Sequence, residues 1–292
     1  MPHKAGFVNI IGNPNVGKST LMNRFVGEKL SIITSKAQTT RHRILGILDK
    51  DNYQIVFSDT PGILDPKYKL QEKMLNEVHE AFADADIIIM LVSLEDDVSI
   101  KAQIIEKLKI LNIPVLFVVN KLDLDDKEKI SAWKRYIEGL IPDAKLFFIS
   151  ALHDLYIENL LDHIIALLPE NPPYYPKETL TDRNERFFVS EIIREKILLL
   201  YRKEVPYSVD IQIEEFKEKA DINNIKAFIY VEKESQKGII IGDKGKDIKT
   251  LGIESRKDIE KKKKKKAYLE LVVKVKKNWR SKDDALRHFG YS

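Results

Sequence analysis

The chain has 292 residues, of which 43% are hydrophobic and 32% charged, and it contains no cysteine. This length suffices for two domains, each with its own core. The absence of cysteine excludes disulfides, thiolate zinc sites and cysteine nucleophiles, and it fits a reducing compartment. Neither a membrane-length apolar run nor the apolar stretch of a signal peptide is present. A cytoplasmic protein is therefore expected.

The net charge of +4 is unevenly distributed along the chain. Residues 183–292 contain 28 Lys and Arg against 19 Asp and Glu, whereas residues 1–182 contain 21 against 26. The basic C-terminal part indicates binding to a polyanion, although uneven solvated surface charge is an alternative explanation.

Residues 6–168 alternate short β-branched runs with longer helical patterns. That order predicts an α/β fold, with a mostly parallel sheet and helices on both faces. A proline-containing segment at 171–182 predicts a semi-rigid linker between a domain at 1–170 and a second at 183–292. Strands are predicted at 7–11, 54–58, 87–92, 115–119 and 146–149, and helices at 69–83, 100–108 and 157–168, among others.

A phosphate-binding motif follows the first predicted strand and opens a helix. Its sequence, Gly12-Asn13-Pro14-Asn15-Val16-Gly17-Lys18-Ser19-Thr20, matches G-x-x-x-x-G-K-[ST]. Backbone N–H groups in such a loop surround phosphate oxygens, and the helix N-terminus adds a favourable dipole. Lys18 is expected to reach the β- and γ-phosphates, and Ser19 to bind Mg²⁺.

A second motif predicts the base. Asn120-Lys121-Leu122-Asp123 follows another apolar strand. Asp123 can accept two hydrogen bonds from guanine that adenine cannot supply. Asn120 is expected to bond the other edge of the ring, and the stem of Lys121 to cover its face. Backbone amides of Ser150-Ala151-Leu152 would bind the guanine O6.

Two further segments complete the predicted site. Asp59-Thr60-Pro61-Gly62 ends a strand, so Asp59 is expected to hold Mg²⁺ through water and the Gly62 N–H to sense the γ-phosphate. The polar segment Gln38-Thr39-Thr40-Arg41, called the switch segment below, is expected to order when the γ-phosphate is present. One of its threonines completes the Mg²⁺ shell. Thr40 is preferred, with Thr39 as the alternative.

These motifs make residues 6–168 resemble a small GTPase of the translation-factor-related class. The resemblance implies hydrolysis of GTP to GDP and phosphate by an in-line water, with Lys18, Thr40 and Gly62 as catalytic groups. Ile63 stands where Ras-like members carry the glutamine that orients water, so slow intrinsic turnover is expected. In related GTPases an asparagine like Asn15 helps to bind potassium, which makes K⁺ a possible second cofactor.

The C-terminal pattern predicts a smaller α+β domain. It runs helix 186–203, strands 208–214 and 225–232, a short helix ending near Ile241, helix 245–260 and strand 268–275. In the last strand, apolar residues at 269, 271, 273 and 275 alternate with charged ones. Six lysines at 261–266 are predicted to form a solvated loop, with a supplementary phosphate contact as the alternative.

Between the two helices lies a G-x-x-G sequence, Gly242-Asp243-Lys244-Gly245. It resembles the loop of a type II KH domain, whose glycines let a nucleic-acid backbone approach the main chain. A helix–turn–helix is the alternative, but it leaves the flanking strands unexplained. The residues expected to contact RNA are the four of this loop together with Lys237, Gly238, Lys246 and Lys249.

The two parts together resemble the Era family over essentially the whole chain. Arg41-His42-Arg43-Ile44, Tyr268-Leu269-Glu270-Leu271 and Trp279-Arg280 carry the resemblance further, whereas the run 261–266 departs from it. The family implies binding near the 3′ end of small-subunit ribosomal RNA, a role in maturation of that subunit, and association with the inner face of the membrane. A monomer is expected. The alternatives are a tRNA-modification GTPase, a membrane-surface GTPase and a nucleotide-independent RNA-binding module.

Overall fold

The computed structural model describes residues 2–142 and 144–291. The chain divides into two compact units. The first contains the chain up to Ser31 together with Thr40–Asp65 and Met74–Asp182. The second contains the chain from Arg183 onward and also two short earlier segments, Ile32–Thr39 and Pro66–Lys73. Half of the predicted switch segment is therefore grouped with the C-terminal part of the chain.

The first unit is built on a six-stranded sheet with the order β2-β3-β1-β4-β5-β6. Within the described residues β2 alone is antiparallel to its neighbour, and the other pairs are parallel. Every residue of β4 is buried, as expected of a parallel strand covered on both faces. The strands are β1 (Lys4–Gly12), β2 (Ile44–Asp49), β3 (Tyr53–Asp59), β4 (Ile87–Ser93), β5 (Val115–Asn120) and β6 (Lys145–Phe148).

Among the described residues five α-helices accompany this sheet, and the predicted α/β class is confirmed. They are α1 (Lys18–Val26), α2 (Lys69–Ala83), α3 (Ala102–Ile110), α4 (Lys127–Leu140) and α5 (Ile157–Leu167). Two elements of this unit were not predicted. Strand β2 was missed because Gly46 and Asp49 interrupt its apolar pattern. Helix α4 had a readable signal, since Asp126 caps it by accepting from the Lys129 N–H, and Trp133 and Ile137 share its buried face.

The proline-containing segment 171–182 runs along the first unit and is held there by hydrogen bonds. Tyr175 and Gln54 exchange two of them, each 2.9 Å long. The Ile47 N–H donates to the Leu180 carbonyl over 2.9 Å. The conformation of this segment therefore depends on these hydrogen bonds as well as on its prolines. The partners in the bonds lie more than a hundred residues earlier in the sequence.

The second unit contains a three-stranded sheet, β7-β8-β9, with β7 antiparallel and β9 parallel to the central β8. Residues Leu269, Leu271, Val273 and Val275 of β9 all pack against its core, as the alternation predicted. The elements are α6 (Glu185–Leu200), β7 (Asp210–Glu218), β8 (Ile222–Val231), α7 (Glu234–Ile241), α8 (Lys246–Lys263), β9 (Lys266–Val275) and α9 (Asp283–His288). The flanking sheet shows that the helix–turn–helix alternative is wrong.

Two predictions about this unit need correction. Helix α8 continues to Lys263 instead of ending at 260, because cations in a last turn interact favourably with the helix dipole. The lysines at 261–266 are therefore half helical, and only Lys264 and Lys265 form the turn. Helix α9 was not predicted either. It is followed by Phe289 and Tyr291, whose rings pack on the buried Trp279.

Within 2–142 and 144–291, the helices are all too short or too polar to cross a bilayer.

Two glycines of the first unit should respond oppositely to alanine. A Cβ on Gly12 would lie 2.1 Å from the Leu91 carbonyl oxygen, so β1 and β4 would be forced apart. A Cβ on Gly139, inside α4, meets no atom within 4 Å. We expect Gly12→Ala to lower the free energy of unfolding by more than about 2 kcal/mol. Gly139→Ala should raise it by about 0.5–1 kcal/mol.

Urea unfolding followed by circular dichroism measures both glycine variants. Equal midpoints for the two would contradict the close approach of β1 and β4.

Candidate nucleotide-binding site and nucleic-acid interface

The loop between β1 and α1 adopts backbone conformations that side chains rarely allow. Gly17 has φ 100° and Asn15 has φ 65°. At Gly62, a Cβ would lie 2.6 Å from the Pro14 nitrogen, so the chain after β3 packs directly on the loop. The glycines of the motif are required by this geometry, and the loop is brought next to the Asp59-Thr60-Pro61-Gly62 segment.

Lys18 is buried at the start of α1 and folds back over the loop. Its Nζ donates to the carbonyls of Gly12 (3.1 Å) and Asn13 (2.8 Å). Burial lowers the pKa of Lys18 to about 8, although the charges of Asp59 and Asp96 act in the opposite direction. A desolvated cation beside a loop of main-chain amides is suited to bind a polyphosphate.

Three oxygen-bearing side chains converge beside Lys18. The Ser19 hydroxyl donates to Asp59 Oδ2 over 2.6 Å, and the Thr40 hydroxyl donates to the same atom over 3.2 Å. The hydroxyls of Ser19 and Thr40 are 3.0 Å apart. The other oxygen of Asp59 is buried and has no hydrogen-bond partner among the described residues. Burial raises the pKa of Asp59, and the hydrogen bond from Ser19 partly offsets this.

The donor set of Ser19, Thr40 and Asp59 fits Mg²⁺, a hard cation that prefers oxygen ligands. A buried, unpaired carboxylate oxygen costs free energy unless a cation or donor approaches it. Thr39, the alternative ligand, lies elsewhere. Its hydroxyl is 2.7 Å from that of Thr34 and 2.6 Å from the Lys36 carbonyl.

In the segment after Asp59, the side chains of Thr60 and Ile63 are both engaged within the protein. The Thr60 hydroxyl donates to the Ile10 carbonyl over 2.8 Å and is buried. Ile63 packs in the core of the first unit, and its N–H donates to the Gly12 carbonyl. Only main-chain groups of this segment are left to interact with a phosphate or a water.

On the base side, Asn120 connects three loops. Its Nδ2 donates to the Val16 carbonyl over 2.8 Å, and its Oδ1 accepts from the Ala151 N–H over 2.9 Å. Lys121, which has φ 65°, forms an ion pair with Glu95. These contacts bring the N-K-x-D motif, the phosphate loop and the Ser150-Ala151-Leu152 segment together. Leu152 is largely exposed, and its carbonyl accepts from Arg24 over 3.0 Å.

Asp123 is oriented by a residue whose role the sequence did not reveal. The Ser150 hydroxyl donates to Asp123 Oδ1 over 2.5 Å and also accepts from the His153 N–H over 3.2 Å. Sequence reasoning assigned Ser150 through its backbone amide alone. The signal that could have found the second role is the residue type, since a serine can fix a carboxylate that alanine cannot.

The switch segment is divided between the two units at the Thr39–Thr40 bond. Thr40 and the buried Arg41 belong to the first unit, as does the Asp59 cluster. In the second unit, the Thr39 carbonyl accepts from Arg194 over 2.5 Å, and Gln38 accepts from the Tyr68 hydroxyl over 3.0 Å.

Arg194 is itself buried and paired with Glu191, 2.5 Å away. Burial alone would lower the pKa of Arg194, but the charge and hydrogen bonds of Glu191 outweigh it, and the pKa is raised. The group that donates a hydrogen bond to the Thr39 carbonyl is therefore a permanently charged side chain.

The G-x-x-G sequence forms a tight connection between α7 and α8. Gly242 has φ 72°, Lys244 φ 48° and Gly245 φ 79°. The side chains of Lys244, Lys246 and Lys249 are exposed, as is Asp243. Lys237 and Gly238 lie in α7, one turn before the loop. A main-chain loop with three positive φ values and exposed lysines is a suitable surface for a phosphate backbone.

The comparisons with known proteins agree with this geometry. Residues 7–121 match the family model described as 50S ribosome-binding GTPase, and residues 204–280 match the KH domain model. The GTPase Era of Clostridium kluyveri is 45% identical over 290 residues, covering 99% of both chains. The GTPase Era of Carboxydothermus hydrogenoformans is 42% identical over 295 residues, covering 100% of this chain and 99% of its own.

Two solved structures resemble the chain over 99% of both lengths, with 37% identity and a TM-score of 0.94. One is Era in complex with MgGDPNP and nucleotides 1506–1542 of 16S ribosomal RNA. The other is a variant of Aquifex aeolicus Era bound to GDP·AlF4⁻. With matches to a GTPase model and a KH domain model, and with Era relatives 42–45% identical along essentially its whole length, the chain belongs to the Era family of GTPases.

Proposed function

We propose that this chain binds GTP with Mg²⁺, hydrolyses it slowly, and binds small-subunit ribosomal RNA near its 3′ end during assembly of that subunit. The observation that carries the proposal is the Asp59 carboxylate held between the hydroxyls of Ser19 and Thr40 with one buried oxygen unpaired. A buried carboxylate oxygen without a partner costs free energy, and the cluster around it is suited to a metal-bound triphosphate. It argues against an RNA-binding module with an inactive phosphate loop.

Each group of the site has one task in this proposal. The amides of the loop and the amine of Lys18 bind the β- and γ-phosphates and hold the γ-phosphate for in-line attack. Ser19, Thr40 and Asp59 hold Mg²⁺, whose charge offsets that on the phosphate oxygens. The Gly62 N–H approaches the γ-phosphate, which ties the segment after β3 to the nucleotide state.

The slow rate follows from what surrounds the attacking water. Ile63 is in the core and the Thr60 hydroxyl is already bonded to a carbonyl, so neither can orient water. The water must therefore be held by main-chain groups, which are weaker positioners than a dedicated side chain.

We also propose that potassium accelerates the reaction. Asn15 is an exposed residue of the phosphate loop and has φ 65°. Its amide oxygen is a ligand of the type that K⁺ accepts. A cation there would add positive charge beside the transferring phosphate, as an arginine finger does in other GTPases.

For the RNA, the support is the G-x-x-G loop and the relative that was solved with nucleotides 1506–1542 of 16S ribosomal RNA. The proposed contact residues are Lys237, Gly238, Gly242, Asp243, Lys244, Gly245, Lys246 and Lys249. We place the protein in the cytoplasm as a monomer. No described feature favours tRNA modification or a primary role at a membrane surface.

Nucleotide state and RNA affinity are proposed to be coupled through the switch segment. Thr40 is held at the metal cluster, and the adjacent Thr39 carbonyl is held by Arg194 in the second unit. If Thr40 moves when the γ-phosphate leaves, the adjacent peptide group, which is held by a hydrogen bond from a charged side chain, must accommodate the movement. The two sites then bias the same element, which is the physical requirement for coupling.

Replacing Asp123 by Asn tests the base site. The variant should lose at least about 100-fold in GTP affinity, because two hydrogen bonds to a charged acceptor are lost. It should gain affinity for xanthosine triphosphate, whose carbonyl at position 2 can accept from the new amide. Asp125→Asn, the same change two residues away on an exposed residue, is the matched control and should alter neither affinity. Titration with fluorescent nucleotide analogues measures both, and unaltered guanine selectivity would mean that the base site is misassigned.

The two threonines of the switch segment can be separated by substitution. Thr40→Ala removes a proposed metal ligand and should lower kcat at least about tenfold while raising the Mg²⁺ concentration needed for half-maximal rate. Thr39→Ala removes only contacts to Thr34 and Lys36 and should leave the Mg²⁺ requirement unchanged. Single-turnover GTP hydrolysis across a Mg²⁺ titration decides between them, and the reverse pattern would make Thr39 the ligand.

The potassium proposal predicts a rate difference between salts. GTP hydrolysis should be at least about tenfold faster in potassium than in sodium chloride at equal ionic strength, less than the gain from an arginine finger. Asn15→Ala should abolish that difference while leaving GTP affinity in sodium chloride within a few-fold of the original. Equal rates of the unaltered protein in the two salts would refute potassium activation.

A further inference from the structure

The lysines at 261–266 form a charged surface at the far end of α8 from the G-x-x-G loop. Helix α8 begins at Lys246, directly after Gly245, and ends at Lys263. Its 18 residues span about 27 Å. The lysine surface therefore cannot contact the same few nucleotides as the loop, since a KH loop clamps about four.

Half of the lysines on this surface are exposed and outside any ion pair of the described residues. Lys263 pairs with Glu185, and Lys262 lies 4.4 Å from the centroid of the Phe188 ring. Lys261, Lys264 and Lys266 are exposed, and no ion pair to them is found among residues 2–142 and 144–291. They lie at or just beyond the C-terminus of α8, where their charge outweighs the negative end of the helix dipole, so the surface presents a positive potential.

An aromatic ring accompanies these cations. Lys266 and Tyr268 occupy positions i and i+2 of β9 and project from the same face, with the buried Ala267 pointing the other way. Tyr268 is 58% exposed. A ring for base stacking beside a cation for the phosphate is the combination that binds single-stranded nucleic acid.

The start of α6 lies at the same end of α8, as the Lys263–Glu185 pair shows. It contributes Arg186, which is exposed, and the half-buried rings of Phe187 and Phe188. Cations interleaved with aromatic rings thus continue beyond the lysines themselves. This composition favours RNA over a lipid surface, because Phe187 and Phe188 are half-buried and residues 261–266 contain no apolar side chain that could insert between lipids.

We propose that residues 261–266, with Tyr268, form a second RNA contact. This contact binds the phosphate backbone of an RNA strand that extends beyond the G-x-x-G loop, whatever the base sequence of that strand. The inference rests on the proposed RNA-binding function and adds a second point of contact to it. At about 3.4 Å per stacked nucleotide, the two contacts are about eight nucleotides apart. Only an RNA of roughly a dozen nucleotides or more can engage both.

The test uses the full chain and two RNAs. One is a hexanucleotide that can fill only the loop, and the other is a fragment equivalent to nucleotides 1506–1542 of 16S ribosomal RNA. The first variant is K261Q/K264Q/K266Q. The matched control is K109Q/K127Q/K145Q, which removes three exposed lysines from the first unit. Thermal unfolding of each confirms that the fold is kept.

The long RNA should bind the first variant at least about tenfold more weakly at 50 mM salt, and the slope of log affinity against log salt should be shallower by about 2. Its affinity for the hexanucleotide and the control variant's affinity for both RNAs should be unchanged. Tyr268→Ala should weaken binding of the long RNA about fivefold or more. It should not alter the slope of log affinity against log salt, because stacking releases no counterions.

Three results would overturn the proposal. If the unaltered chain binds the long RNA and the lysine variant binds it with equal affinity and slope, the second contact is absent while the proposed function stands. If the unaltered chain binds neither RNA, the proposed function fails as well. If the lysine variant keeps its RNA affinity but loses binding to vesicles containing phosphatidylserine, the surface serves a membrane instead.

Discussion

The nucleotide site is organised around one buried carboxylate, Asp59. Placing it at the end of β3, inside the protein, costs free energy that its hydrogen bonds only partly offset, since burial raises its pKa and one oxygen remains unpaired. The two hydroxyls that it accepts from come from different places, Ser19 at the start of α1 and Thr40 in the switch segment. A single acidic group therefore fixes the end of a strand, the first turn of a helix and a loop.

The N-K-x-D motif is hydrogen-bonded to the phosphate loop. Asn120 bonds the Val16 carbonyl within the phosphate loop and the Ala151 N–H in the last loop of the sheet, while Ser150 fixes Asp123. All of these residues follow the carboxyl ends of parallel strands, where an open α/β sheet forms its ligand crevice. The residues proposed to select guanine and those proposed to bind the phosphates therefore belong to one hydrogen-bonded network.

Much of this could be predicted from the sequence, because the phosphate loop, Asp59 and the N-K-x-D motif each impose a local chemistry that their residue types reveal. The sequence does not separate Thr40 from Thr39, since their positions relative to Asp59 depend on where a polar loop places two identical side chains. The bonds of Ser150 to Asp123 and of Gln54 to Tyr175 are similar cases, as they join residues far apart in sequence. The run of lysines at 261–266 predicts a loop, whereas α8 extends through Lys263, because helix propensity alone does not include the stabilisation of cations at a helix C-terminus.

The division of the switch segment at Thr39 and Thr40, with Arg194 on one side of a peptide bond and the Asp59 carboxylate on the other, underlies the proposed link between nucleotide state and RNA binding. The most direct measurement of this link is the affinity for the ribosomal RNA fragment in the presence of GDP and of a non-hydrolysable GTP analogue. The account predicts affinities that differ at least about fivefold, and the same factor in the relative affinity for the two nucleotides when RNA is bound. Equal RNA affinities in both nucleotide states would contradict it.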